Sequence, residues 1–314
     1  MNATLRTAAA VIAASVLGMV SMPSQAQAPQ PLPLIKEGAT VKVSEHVWVI
    51  PDGGVPVVPD VGIIVGSRAT MIIDTGLGIR NGEAVLRELA KVSTNKDVYV
   101  ATTHFHAEHT TGGVAFPPNF KFVRPIAQQK DVQEFGSSFF AMFEKRSPEF
   151  AELMKGSTYP SADIMFERDY SVDLGGVRVQ LTWLGPTHTR GDTAIFVEGD
   201  RVLFSGDLAM KQLFPAFASP YSDGVVWLAS LDTLAAMQPK VVVGSHGGIG
   251  DASLISSYRD ILKTVQARTR ELKAQGKSEE EIGKLLTDEM AAKYPDWVAP
   301  IRIPGAVTAF YKLP

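Results

Sequence analysis

Two apolar strands of this chain end on nearly the same phrase: "IIDTG" at residues 72–76 and "LFSGD" at residues 203–207. Around each, apolar residues recur at every second position, the spacing that turns one side of a strand toward a core. Strand-like alternation covers 37–50, 58–66, 69–74 and 97–103 in the first block. The second block reads as a hairpin at 169–184 around Gly175–Gly176 and another at 193–207 around Gly199–Asp200. Helices are predicted at about 81–92, where Val85, Leu86 and Leu89 share a face, at 126–155 and at about 225–237. After a strand at 240–245, a long amphipathic helix starts at 251 and stops near Gly276. Ser278 and Glu281 then have the capping-box spacing of a new helix. The pattern is that of one domain with two-fold internal similarity. At 314 residues the chain is long enough to bury a sizeable core.

Residues 1–26 stand apart: Arg6 precedes the uncharged apolar run "TAAAVIAASVLGMVSM", and small residues close it at "SQA", Ser24–Ala26. This is the layout of a cleavable signal peptide, and the run is shorter than the roughly 20 residues a membrane span needs. Residues 27–36 read as a Pro-rich linker and 37–314 as a single domain. The expected location is therefore outside the cytoplasm, in the periplasm, with no membrane attachment after cleavage. Removing Arg6 leaves 29 basic against 33 acidic side chains and no basic stripe, so nucleic acid is not an expected partner. Cysteine is absent, which excludes disulfides, a thiol nucleophile and thiolate metal ligands.

The histidines are unevenly placed. Three of six fall within "HFHAEH": His104, His106 and His109, with Glu108 among them. His188 in "GPTHT" and His246 in "GSHGG" also follow predicted strands, as does Asp207 in "SGD". Flanking glycines suit sharp turns at strand ends. Two imidazoles spaced two apart on an extended segment point to one side and can converge on an ion. The remaining histidine, His46, reads as structural or exposed. No G-x-S-x-G elbow is present, so a serine hydrolase is disfavoured.

In "MIIDTG", "HFHAEH", "GPTHT", "SGD" and "GSHG", taken in order over about residues 37–250, the chain resembles the metallo-β-lactamase superfamily. The resemblance implies an α/β fold, the αββα four-layer sandwich, with a helical insertion near 126–155 and C-terminal helices from 251. It also implies a dinuclear centre, two zinc ions per chain. His104, His106 and His188 would hold the first ion, Glu108, His109 and His246 the second, and Asp207 would bridge them. Asp74 would orient a ligand or, alternatively, cap a turn. Asp207 and Glu108 are then the catalytic carboxylates. The family usually has Asp where this chain has Glu108, so the second site is the point of departure.

Zinc of this kind lowers the pKa of its bound water to about 7 and makes hydroxide available for attack on a carbonyl or phosphoryl centre. The expected function is an exported zinc-dependent hydrolase of a small ester, lactone, thioester or amide, acting on a small-molecule substrate. A β-lactamase and an iron-bearing redox member are the alternatives. Lys211, four residues after Asp207, is a candidate for holding a substrate carboxylate. Phe139 and Phe143, in the insertion, are candidates for an apolar lid, although plain helix packing is the better explanation for most phenylalanines of that segment.

Overall fold

Alternation that is apolar on both strand faces calls for cover on both sides of a sheet, and the computed structural model, which describes residues 32–313, supplies it. The first sheet runs in chain order: β1 (Val41–Lys42), β2 (Val47–Ile50), β3 (Val61–Val65), β4 (Ala69–Ile73), β5 (Asp97–Ala101), β6 (Lys121–Pro125) and β7 (Ile164–Phe166). Its strands are antiparallel from β1 to β4 and parallel from β4 to β7. The second comprises β8 (Asp169–Asp173), β9 (Arg178–Trp183), β10 (Thr193–Val197), β11 (Val202–Gly206), β12 (Val241–Gly244) and β13 (Ile249–Gly250). Only its β11–β12 pair is parallel. The helices are α1 (Gly78–Val92), α2 (Ala107–Thr110), α3 (Ile126–Glu144), α4 (Pro148–Met154), α5 (Gly224–Ala236), α6 (Ser253–Ala274), α7 (Glu279–Lys293) and α8 (Ile303–Tyr311).

Period two divides each strand between two cores. Ile64, Met71 and Ile73 face the second sheet and pack with Leu181, Ile195 and Phe204. Their neighbours Ile63 and Ile72 turn the other way, onto Val85 and Leu89 of α1. On the far side of the second sheet, Leu203 and Val242 pack with Trp227 of α5 and with Tyr258 and Ile261 of α6. The result is the αββα sandwich. Gly62 leaves room between the sheets: a Cβ there would sit 2.5 Å from the Phe204 ring. Each such fully buried large side chain contributes about 1.5–3 kcal/mol by leaving water.

The glycine hairpins and the helix start at Ser278 form as predicted, the latter with both capping-box bonds. The insertion is broken in two, because Ser147 caps α4 by accepting the Phe150 amide proton. Sequence alternation did not reveal β6, β7, β13 or α8. The leader and residues 27–31 of the linker lie outside the described residues. His46 is a structural pin, its Nδ1 2.8 Å from Asp200 Oδ1 in the β10–β11 turn.

Candidate metal centre

The strand ends β4, β5 and β11 deliver the functional side chains to one edge of the sandwich. Just past β4 the chain turns at Asp74, whose φ of 61° lies in the left-handed region. Its amide donates to Ala101 O at 2.9 Å, and its Oδ1 accepts from the Thr103 amide at 2.8 Å. The segment after β5 is therefore pinned to the end of β4. Thr75 then takes the His109 carbonyl through both its amide and its hydroxyl, at 2.8 and 3.0 Å. Gly112 allows this contact, since a Cβ there would lie 2.1 Å from Thr75 O.

His104 Nε2 and His106 Nδ1 approach to 3.0 Å, and His188 Nε2 stands 3.4 Å from the same His106 atom. The two neighbours in "HFH" converge by using different ring nitrogens, on a segment that has already left the strand. A second group gathers Glu108, His109 and His246. Asp207 lies between them, with Oδ2 3.4 Å from His188 Nε2 and Oδ1 3.9 Å from His246 Nε2.

Partners behind the rings set which nitrogen faces inward. His188 Nδ1 donates to Ala216 O at 2.6 Å and His246 Nδ1 to Val58 O at 2.8 Å. His109 Nδ1 donates to Asp74 Oδ2 at 2.9 Å. Each bond commits a proton to Nδ1 and turns Nε2 toward the centre, the orientation that a metal-ligating histidine needs. Asp74 thus both caps the turn and orients His109.

Electrostatics follow from burial. Desolvation, then the neighbouring imidazoles, hold His104 and His106 well below the usual imidazole value, so both are neutral at pH 7. Burial acts the same way on His109, but the Asp74 carboxylate outweighs it and pushes that ring up to about 9. Burial would raise Asp207, yet His188, His246 and His109 keep it well below the usual carboxylate range.

Four buried atoms at this edge, His106 Nε2, Glu108 Oε2, His109 Nε2 and Asp207 Oδ1, have no hydrogen-bond partner. Such atoms cost free energy unless something binds them. Imidazoles and carboxylates without thiolate are a donor set for zinc and similar divalent ions. The residues fit a pair of such ions.

A profile of the metallo-beta-lactamase superfamily matches residues 54–246. The chain belongs to that superfamily. It is 26% identical over 215 residues to a linear primary-alkylsulfatase of a Pseudomonas species, covering 59% of this chain and 40% of that protein. It is also 26% identical over 228 residues to a metallo-beta-lactamase fold-containing protein of Sulfurisphaera tokodaii, covering 67% and 81% respectively. Among solved structures, the sec-alkylsulfatase Pisa1 from Pseudomonas sp. superposes with a TM-score of 0.66 at 16% identity, over 87% of this chain and 50% of that one. That likeness is one of fold. The superfamily supports a metal-dependent hydrolase.

Glu108 stands where the superfamily usually has Asp. It lies on α2, with Oε1 4.0 Å from both His106 Nδ1 and His109 Nε2, and its extra methylene carries it into the second group. The centre opens into a cavity of about 520 Å³. Phe139 stacks on the His106 ring at 4.3 Å, 20° from parallel, and so covers one ligand. Phe143 is buried with Leu77 and Met154, and only borders the cavity. Lys211 is exposed on the same cavity.

Other parts of the cavity were not legible in the motifs. The loop 52–58 forms a strap along it, and Val57 there has φ 72°, a conformation rare for a β-branched residue. Asp52 and Asp60 brace this strap against the His246 loop, accepting from the amides of Gly247 and Gly248 at 2.8 and 3.0 Å. Arg146 and Arg302 also line the cavity. The strap had a signal, the run "DGGVPVV"; the arginines had none.

Proposed function

We propose that the protein is a zinc-dependent hydrolase of a small ester, lactone, thioester or amide. The observation that carries this reading is the paired donor groups, His104–His106–His188 and Glu108–His109–His246, with Asp207 between them. These residues would hold two ions. Bound zinc acts as a Lewis acid on a carbonyl and makes water nucleophilic near neutral pH.

The chain's own groups do the rest. Asp207 stays ionised, and its unpartnered Oδ1 is an acceptor that orients the attacking water. Its depressed basicity suits orientation more than proton storage. Glu108, with Oε2 equally unpartnered, is the other acceptor at the reacting edge. Phe139 closes one side of His106 to solvent. The apolar strap and Phe143 bound the space in which the substrate lies.

The deciding experiment is metal analysis of the purified protein, with a panel of esters (sulfate esters included), lactones, thioesters, amides and β-lactams. Stoichiometric zinc with turnover of one ester-like class is the expected result. Stoichiometric iron with oxygen uptake overturns it. A second reading, β-lactam hydrolysis, is favoured by Lys211 on the cavity. It requires turnover of a carbapenem or cephalosporin that falls in Lys211→Ala. The signal-peptide pattern of residues 1–26 supports an exported, periplasmic enzyme. N-terminal sequencing of the mature protein tests this, with a start at Gln27 expected.

A further inference from the structure

We propose that the cavity selects a substrate carrying its own negative charge on an apolar body, with Arg146 and Arg302 as the residues that recognise the charge. This rests on the hydrolase reading and names its substrate class.

Arg146 follows α3 and sits over the Phe143 ring, its guanidinium carbon 4.3 Å from the ring centre. Arg302 enters from the opposite side, just before α8, where its Nη1 donates to Phe214 O at 3.2 Å. Neither forms an ion pair among the described residues, whereas Arg190 nearby is neutralised by Asp131 and Glu134. Stacking and a single carbonyl therefore fix the two guanidinium groups but leave most of their donors unused. A guanidinium has five N–H groups in a fixed fork that matches a carboxylate or sulfate-like group.

The rest of the lining is mainly carbon. Met142 and Val298 are 44% and 59% exposed at the cavity, and Leu213, Val57 and Phe139 continue the wall. Apolar side chains left in water beside unpaired cations suit an amphiphilic anion and not a polar sugar or a neutral oil. Arg302 and Val298 lie beyond residues 54–246, so this half of the wall comes from the chain's C-terminal segment.

The test has two arms. In the first, two nitrophenyl esters of equal length are compared, one neutral and one ending in a carboxylate. The anionic ester is expected to have a kcat/KM about tenfold higher, through KM. Arg146→Ala and Arg302→Ala should each remove most of that preference, while Arg302→Lys, which keeps the charge, should retain part of it. In the second arm, octanoate and 1-octanol are titrated calorimetrically into the full protein, as purified and after chelation. Octanoate should bind more tightly, and less so in both alanine variants. Equal handling of the two esters, or octanoate binding indifferent to both arginines, overturns the proposal. Arginine-dependent octanoate binding without turnover of any ester would instead sink the hydrolase reading and leave this one standing.

Discussion

Asp74 holds His109 through a hydrogen bond of 2.9 Å while the same carboxylate anchors the Thr103 amide at 2.8 Å. One buried acid thus fixes both the ring of His109, a candidate ligand of the second group, and the backbone leading to His104 and His106. Asp74→Asn keeps the size but cannot accept at both positions. Its affinity for the second ion should fall about 10–100-fold, with less change at the first. Metal retained against a graded chelator series measures both.

Loading the second site should release a proton. With His109 at about 9, that ring is charged at pH 7 and must lose its proton to bind an ion. His104 and His106 are already neutral and contribute none. Calorimetry in two buffers of different ionisation enthalpy should show about one proton from His109 at pH 7. The release should fade above pH 9. Release unaffected by Asp74→Asn would contradict the assignment.

Glu108 joins the second group with its Oε1 4.0 Å from His109 Nε2. Glu108→Ala should lose the second ion and about tenfold or more in turnover. Glu108→Asp, one methylene shorter, should weaken that ion as well. Unchanged metal content and activity in Glu108→Ala would remove Glu108 from the ligand set.

Asp60 is pushed up to about 8 by burial and then by the charge of Asp52. A carboxyl raised above its unfolded value of about 3.9 favours the fold while protonated. Its contribution is therefore complete below about pH 4 and is lost as pH rises toward 8. Thermal unfolding between pH 5 and 9 should show a decline in Tm that is smaller in Asp60→Asn. Parallel profiles for the two proteins would refute this account.

The sandwich was readable because its strands are apolar at alternate positions on both faces. β6 was not, because "KFVRP" places a buried arginine, Arg124, among its apolar residues. β13 has only two residues, and α8 begins with Pro304 and Gly305 in its first turn. The ligands were legible because chemistry forces rare residue types onto strand exits. Arg146 and Arg302 carry no such mark, since an arginine in a helical region reads as ordinary surface until folding places it at the rim of the cavity. The conformation of Val57 is a backbone property that no residue type announces.

Leu213 pairs with Val298 in an isolated bridge, flanked by the Val298 amide bond to Gln212 O at 2.9 Å. This seam joins the loop after Asp207 to the C-terminal helices. By His246 every candidate ion ligand has been translated, yet the far wall of the cavity has not. The far wall is thus set by residues 298–302, while the near wall comes from the strap and α3. Changes confined to residues 298–302 can therefore alter which substrates enter while every candidate ion ligand stays in place.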